Sequence, residues 1–138
     1  TPEDNDMPRY NWSHDEVFLV ADRAYSMYQQ GRYREAAVLF EGLATVDPDS
    51  SYCANALAAC LYLLGEHQKV VSSIDRFLAR RPNDLDARAR RCEALLALSR
   101  VDEARKEFEA LRSSRANLHV RRLQLRFDAL RSNLLPAS

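Results

Sequence analysis

From Val17 onward apolar and polar residues follow a helical period, and the pattern falls into six stretches, about 15–30, 33–46, 50–64, 67–80, 84–98 and 101–113. They pair naturally as three helix-turn-helix units. Gly31 and Gly65 can take the left-handed conformation that closes a helix, while Pro48 and Pro82 stop the second helix of a pair. Asp49, Ser50, Asn83 and Asp84 then offer caps for the helix that follows. Ser13 or His14 precedes the first helix, with Asp15 and Glu16 in its first turn, where carboxylates oppose the positive end of the helix dipole. Residues 1–14 carry prolines and acids without amphipathic period and read as a flexible acidic arm. A seventh helix over about 116–133 sets Leu118, Leu125, Leu130 and Leu134 among arginines.

The units repeat. Gly31, Gly65 and Ser99; Ala36, Val70 and Ala104; Phe40, Ile74 and Phe108; and Pro48, Pro82 and Ala116 each stand 34 residues apart. A 34-residue period with small, aromatic and proline positions in step resembles the tetratricopeptide repeat. The resemblance implies an all-α, right-handed superhelical solenoid of three helix pairs, at about 17–50, 51–84 and 85–118, in one domain spanning 15–133. The small residue lets paired helices approach closely, and Phe40, Ile74 and Phe108 fill the gap against the next pair. The third unit has Ser99 and Ala116 in place of glycine and proline, so its turns are the least secure. The basic, one-sidedly apolar seventh helix reads as the cap on the last pair.

Composition narrows the function. With 46% apolar and 29% charged residues, the 138-residue chain is an ordinary globular one. Its formal charge is zero, but residues 1–74 carry five Lys or Arg against eleven Asp or Glu, a net −6, and residues 75–138 carry fifteen against nine, a net +6. The basic half has no nucleic-acid-binding motif, and its cations alternate with acids, as at Glu103, Arg105, Lys106 and Glu107, the pattern of a solvated helix face. An acidic client segment is the partner expected for that half. Cys53, Cys60 and Cys92 make no complete disulfide framework and read as packing residues of a reducing, cytoplasmic compartment. No apolar run is long enough for membrane insertion.

Signals for catalysis are absent: three glycines form no phosphate loop, and no His/Cys cluster has metal-ligand spacing. His14, His67 and His119 fall in separate elements and read as surface or interhelix residues, while Asp102 and Glu103 read as a helix start. A non-enzymatic protein without metal or cofactor is expected. In this repeat the second, fifth, ninth and twelfth residues of each first helix line the inner groove. Those positions are Phe18, Ala21, Tyr25 and Tyr28; Tyr52, Asn55, Ala59 and Tyr62; and Asp86, Ala89, Glu93 and Leu96. Five aromatics on one lining suit a groove that binds peptide, since tyrosine joins contact area to a hydroxyl at small entropic cost. A clamp for a terminal carboxylate needs convergent cationic donors, which this lining lacks: Asp86 stands where a donor is wanted, and only Asn55 and Arg90 could contribute.

The run Ala24-Tyr25-Ser26-Met27-Tyr28-Gln29-Gln30-Gly31-Arg32-Tyr33-Arg34-Glu35-Ala36, then Phe40, Leu43, Asp47 and Ser50, resembles the class II chaperones of bacterial type III secretion. Tyr52, Ala58-Ala59-Cys60-Leu61, Leu64-Gly65-Glu66 and Cys92-Glu93-Ala94-Leu95-Leu96 continue the likeness, which covers about residues 15–115. The resemblance implies a cytoplasmic chaperone whose groove holds an extended segment of a translocator, with Phe18, Tyr25, Tyr28, Tyr52, Tyr62 and Leu96 forming apolar pockets. A scaffold repeat assembling a larger complex through its convex or end surfaces is the alternative. Homodimerisation through the leading or capping helix stays open.

Overall fold

The computed structural model describes residues 12–112, 123 and 125–127, and all regular structure among them is helical. Packing divides the chain into two compact units, Thr1–Glu66 and His67–Ser138. In the first, α1 (His14–Gln29), α2 (Tyr33–Val46) and α3 (Ser51–Leu63) pack in sequence, α1 on α2 and α2 on α3. The second repeats the arrangement with α4 (His67–Arg80), α5 (Leu85–Ala97) and α6 (Val101–Arg112). These bounds lie within two residues of the predicted ones. Of the predicted arm only residues 12–14 are described; the rest of it, and Leu118, Leu130 and Leu134 of the seventh helix, fall outside the described residues.

Three of the helix starts, those of α1, α3 and α5, are built by a side chain. Ser13 caps α1 in a reciprocal box with Glu16: the Glu16 N–H donates to Ser13 Oγ at 3.2 Å, and the Ser13 N–H reaches back to Glu16 Oε1 at 3.5 Å. Ser50 caps α3 through the Cys53 N–H at 3.2 Å, and Asp84 caps α5 through the Ala87 N–H at 2.9 Å.

The helix ends are alike three times over. Gly31 (φ 79°), Gly65 (φ 76°) and Ser99 (φ 61°) all occupy the left-handed region. The following N–H donates back across the turn in each case, Arg32 to Met27 O at 2.9 Å, Glu66 to Leu61 O at 2.9 Å and Arg100 to Leu95 O at 2.8 Å. These are Schellman closures, which satisfy carbonyls the helix leaves open. The turn expected to be insecure at Ser99 therefore forms with the same bonds, because its hydrogen bonds and the packing beyond it outweigh the cost of a left-handed serine.

Beyond each turn the register delivers the core. Ala36, Val70 and Ala104 have no exposed surface, and Phe40, Ile74 and Phe108 retain 4% or less. Burying one such large apolar side chain is worth ~1.5–3 kcal/mol. The first unit fills its core with Ala36, Phe40, Leu43, Leu57 and Cys60, and the second with Val70, Ile74, Ala104 and Phe108 together with Phe77, Cys92, Leu95 and Leu111. Polar clips keep the same register: Arg34 pairs with Glu66 at 3.2 Å, and 34 residues later Arg100 donates to Gln68 at 3.4 Å, donor and acceptor exchanged.

Of the face expected to be solvated, Glu103, Arg105 and Lys106 are exposed and Glu107 is not. Glu107 is nearly enclosed and accepts from Arg88 at 3.0 Å and Arg91 at 3.5 Å, while Arg91 also holds Asp75 at 2.6 Å, so one network joins α4, α5 and α6. Arg88 Nε donates to Pro82 O at 2.6 Å, fixing the turn before α5. The cap also differs from its predicted face. Leu123 and Phe127 are buried and Leu125 is exposed; the Phe127 ring lies 4.9 Å from that of Phe108 and Arg105 sits over it at 5.3 Å.

Two outcomes follow from this packing. A Cβ at Gly65 meets nothing within 4 Å, so Gly65→Ala costs only its backbone strain, ~1–2 kcal/mol in urea unfolding, whereas Ser99→Gly relieves that strain and gains ~0.5–1 kcal/mol after glycine's entropy is subtracted. Equal effects of opposite expectation at the two sites would contradict equivalent turns. Burial, with Glu107 and Glu93 nearby, pushes the Cys92 thiol up to about 12 from 9.0. A group held neutral by the fold stabilises below its unfolded value and loses that contribution as pH climbs toward the folded one. Stability therefore falls above pH 9.0 by about 1 kcal/mol per unit of pH, and Cys92→Ala, less stable at neutral pH, shows a flatter decline. Parallel declines from pH 8 to 10 in the two proteins would rule this out.

Candidate functional site

The first unit brings three of the predicted groove residues together. Phe18 and Tyr25 stand two turns apart on α1 and so share a face, and Tyr52 opens α3 opposite them. They line a cleft of about 370 Å³. α1 contributes His14, Val17, Phe18, Ala21, Asp22 and Tyr25; the turn after α2 and the start of α3 contribute Asp47, Ser50, Tyr52 and Cys53. The aromatics are exposed where a buried hydrophobic would be expected, Phe18 at 68%, Tyr52 at 53% and Tyr25 at 48%. Exposed aromatics gathered at one concavity mark a contact surface; scattered ones do not.

The rings are braced from behind. Tyr25 stacks on Tyr28 with centroids 6.3 Å apart, Tyr28 leans on Tyr33 at 5.6 Å, and Tyr52 meets the buried Phe40 edge-on at 5.9 Å. Tyr28 thus supports the lining without forming it. Bracing of this kind lowers the entropy an aromatic loses when it receives a ligand.

Electrostatically the cleft is apolar with an acidic edge. Burial, followed by the nearby Cys53, Tyr25 and Asp22, raises the Tyr52 phenol above its ordinary range, so it remains a neutral donor. Burial likewise raises the Cys53 thiol, and the Asp47 carboxylate pushes it further. A reactive cysteine needs the opposite shift. The Ser50 hydroxyl is engaged in capping α3, and among the described residues no hydrogen bond joins His14 to Ser50 or Cys53. What this arrangement can do is hold an apolar group.

The remaining predicted residues lie elsewhere. Asn55 donates to Ser51 O at 2.9 Å and Ser51 Oγ at 3.1 Å, and its buried Oδ1 has no partner among the described residues. Tyr62 is half-buried about 15 Å further along α3 than Tyr52. Arg90 and Leu96 belong to α5 in the second unit, where Leu96 keeps 7% of its surface and is core, and Arg90 Nε is buried without a partner among the described residues. Sequence reasoning missed Asp22 and Asp47. Asp22 neighbours a lining position, and Asp47 reads as a mere turn residue until α3 folds beside α1. Among the described residues no group of His, Cys, Asp or Glu is placed to hold a metal ion, and no helix is long and apolar enough to cross a membrane.

Comparison with solved structures agrees with this architecture. PcrH in complex with the chaperone binding region of PopD superposes with a TM-score of 0.77 at 21% identity, covering 92% of this chain and 98% of that one. The Yersinia enterocolitica type III secretion translocator chaperone SycD gives 0.76 at 20%, covering 85% and 91%. The first tetratricopeptide domain of Spaghetti (RPAP3), bound to the HSP90 peptide SRMEEVD, gives 0.71 at 19%, covering 84% and 96%. At such identities the likeness establishes the fold, an all-α tetratricopeptide solenoid, as the 34-residue period and the secretion-chaperone resemblance implied. Comparison with curated protein sequences finds no match. The family profile described as anaphase-promoting complex, cyclosome, subunit 3 matches residues 29–111, more than half of the length, and the chain belongs to that tetratricopeptide-type family.

Proposed function

We propose that this protein is a non-enzymatic peptide-binding module, acting as a cytoplasmic type III secretion chaperone that shields an extended translocator segment. One observation carries the reading: the cleft between α1 and α3 leaves Phe18, Tyr25 and Tyr52 open to solvent at a mainly apolar concavity of about 370 Å³. Leaving three aromatics wet forfeits burial energy the fold would otherwise gain, which is sensible for a surface completed by a partner. The volume suits one or two apolar side chains and no folded domain. PcrH and SycD, which share the fold, were each solved with a translocator segment or peptide, and that supports the choice of client. No Lys or Arg lines the cleft, so it favours side-chain recognition over capture of a terminal carboxylate.

A second reading has its own support. The family description names a subunit of a multiprotein complex, and Val38 and Leu63 are exposed outside the cleft, at 66% and 49%, as an assembly scaffold would require.

The deciding measurement is binding of a fluorescent, leucine-bearing translocator peptide. Phe18→Ala with Tyr25→Ala, both at exposed positions, should leave the thermal midpoint within about 2 °C and weaken binding about ten- to hundred-fold, corresponding to ~1.4–2.8 kcal/mol. Unchanged affinity would remove the cleft from the function. A stable complex that survives this change and is lost on Val38→Glu would establish the scaffold reading in its place.

A further inference from the structure

We infer that the cleft of the first unit selects a segment whose apolar anchor is flanked by lysine or arginine. This rests on the peptide-binding reading and adds the charge of the client to it.

The carboxylates of this unit divide into those already used and those left over. Glu16 is held in the capping box of α1, Glu35 is paired with Arg32, and Glu66 is paired with Arg34. Asp22 and Asp47 are different. Both line the cleft, both are exposed, and neither has an ion pair among the described residues. They come from different elements, Asp22 from α1 and Asp47 from the turn after α2, so a side chain seated in the cleft meets carboxylates from two parts of its lining.

Their field reaches the lining. Asp22 contributes to the raised phenol of Tyr52, and Asp47 to the raised thiol of Cys53, which places each carboxylate electrostatically on a wall group. The surroundings share the sign: residues 12–66 hold eight Asp or Glu against three Lys or Arg, and two of the three cations, Arg32 and Arg34, are committed to ion pairs. Unpaired carboxylates beside low-dielectric aromatic walls attract a cation more strongly than the same groups in bulk water. The exposed faces of Tyr25 and Tyr52 add cation–π sites within the same cleft. The long methylene stems of lysine and arginine can lie on the rings while the charged head meets a carboxylate, so anchor and flank are recognised together.

The occupant is thus a basic-flanked apolar segment, opposite in sign to the acidic client expected for the basic half. In that half Arg88, Arg91, Arg100, Arg112 and Arg126 are in ion pairs within their own unit.

Three synthetic peptides of about twelve residues, identical in a pair of leucines and differing only in whether those leucines are flanked by Lys, Gln or Glu, provide the test by fluorescence anisotropy at low salt. The full chain should bind the Lys peptide about five-fold tighter than the Gln peptide and the Glu peptide weakest, with the spread shrinking at 0.5 M salt. Asp22→Asn with Asp47→Asn, both at exposed positions, should bring the three within about two-fold of one another. Equal binding of all three peptides by the unaltered protein, or a ranking that survives the double Asn change, overturns the charge selection. Light scattering that shows self-association abolished by the same change overturns it too, by making a second copy the occupant. If none of the peptides binds, and Phe18→Ala with Tyr25→Ala alters nothing, it is the peptide-binding reading that has failed.

Discussion

The structure depends on a chain reversal made three times with one geometry. A residue in the left-handed region closes the helix at 31, 65 and 99, and the same pair of backbone bonds spans it each time. Five residues later comes the small, fully buried position, and four further the large one, so both fall on a single face of the next helix. Were the turn to open, the following helix would rotate and Ala36 or Ala104 would no longer lie where close approach is needed. Local backbone chemistry thus sets the tertiary register. Packing in turn holds the backbone, most visibly at Ser99, where no glycine is present and the left-handed conformation is nevertheless adopted.

This mutual dependence explains what could be read without coordinates. The helices, their caps at Ser50 and Asp84, and the buried positions at 36, 40, 70, 74, 104 and 108 follow from spacing and side-chain type, because helix period and capping are local or nearly so. The turn at Ser99 was obscure because propensity favours glycine there and gives no account of bonds made across the turn. The cap's contact face was misjudged at Leu125 for a related reason: a helix carrying many leucines has more than one candidate stripe, and only the position of Phe108 selects the one bearing Leu123 and Phe127.

The site was legible in part. Phe18, Tyr25 and Tyr52 could be placed on one lining by counting along the first helix of each pair. Tyr28, at an equivalent count, became a brace because Tyr33 at the start of α2 takes its ring. Leu96 went into the core, since α5 is packed by α4 on one side and α6 on the other while the exposed face of α1 is not so enclosed. Counting assigns a face to a residue, but how deeply that face is covered depends on neighbours that the count does not see.

The two units use charge in opposite ways on the same scaffold. In the second, Asp75, Arg91, Glu107 and Arg88 neutralise one another across three helices, which draws two arginines into the packing and leaves the net +6 of residues 75–138 unchanged. Half-buried ion pairs of this kind add modestly to stability and strongly to geometry, since a guanidinium left without its carboxylate would be costly where water is scarce. In the first, pairing is confined to turns and helix starts, and the carboxylates nearest the aromatics are left out of it. A chain of zero formal charge has therefore separated a stabilising use of charge from one that is free to act on a ligand. That separation, more than the period that organises it, is what distinguishes this protein's surface from the repeat it is built on.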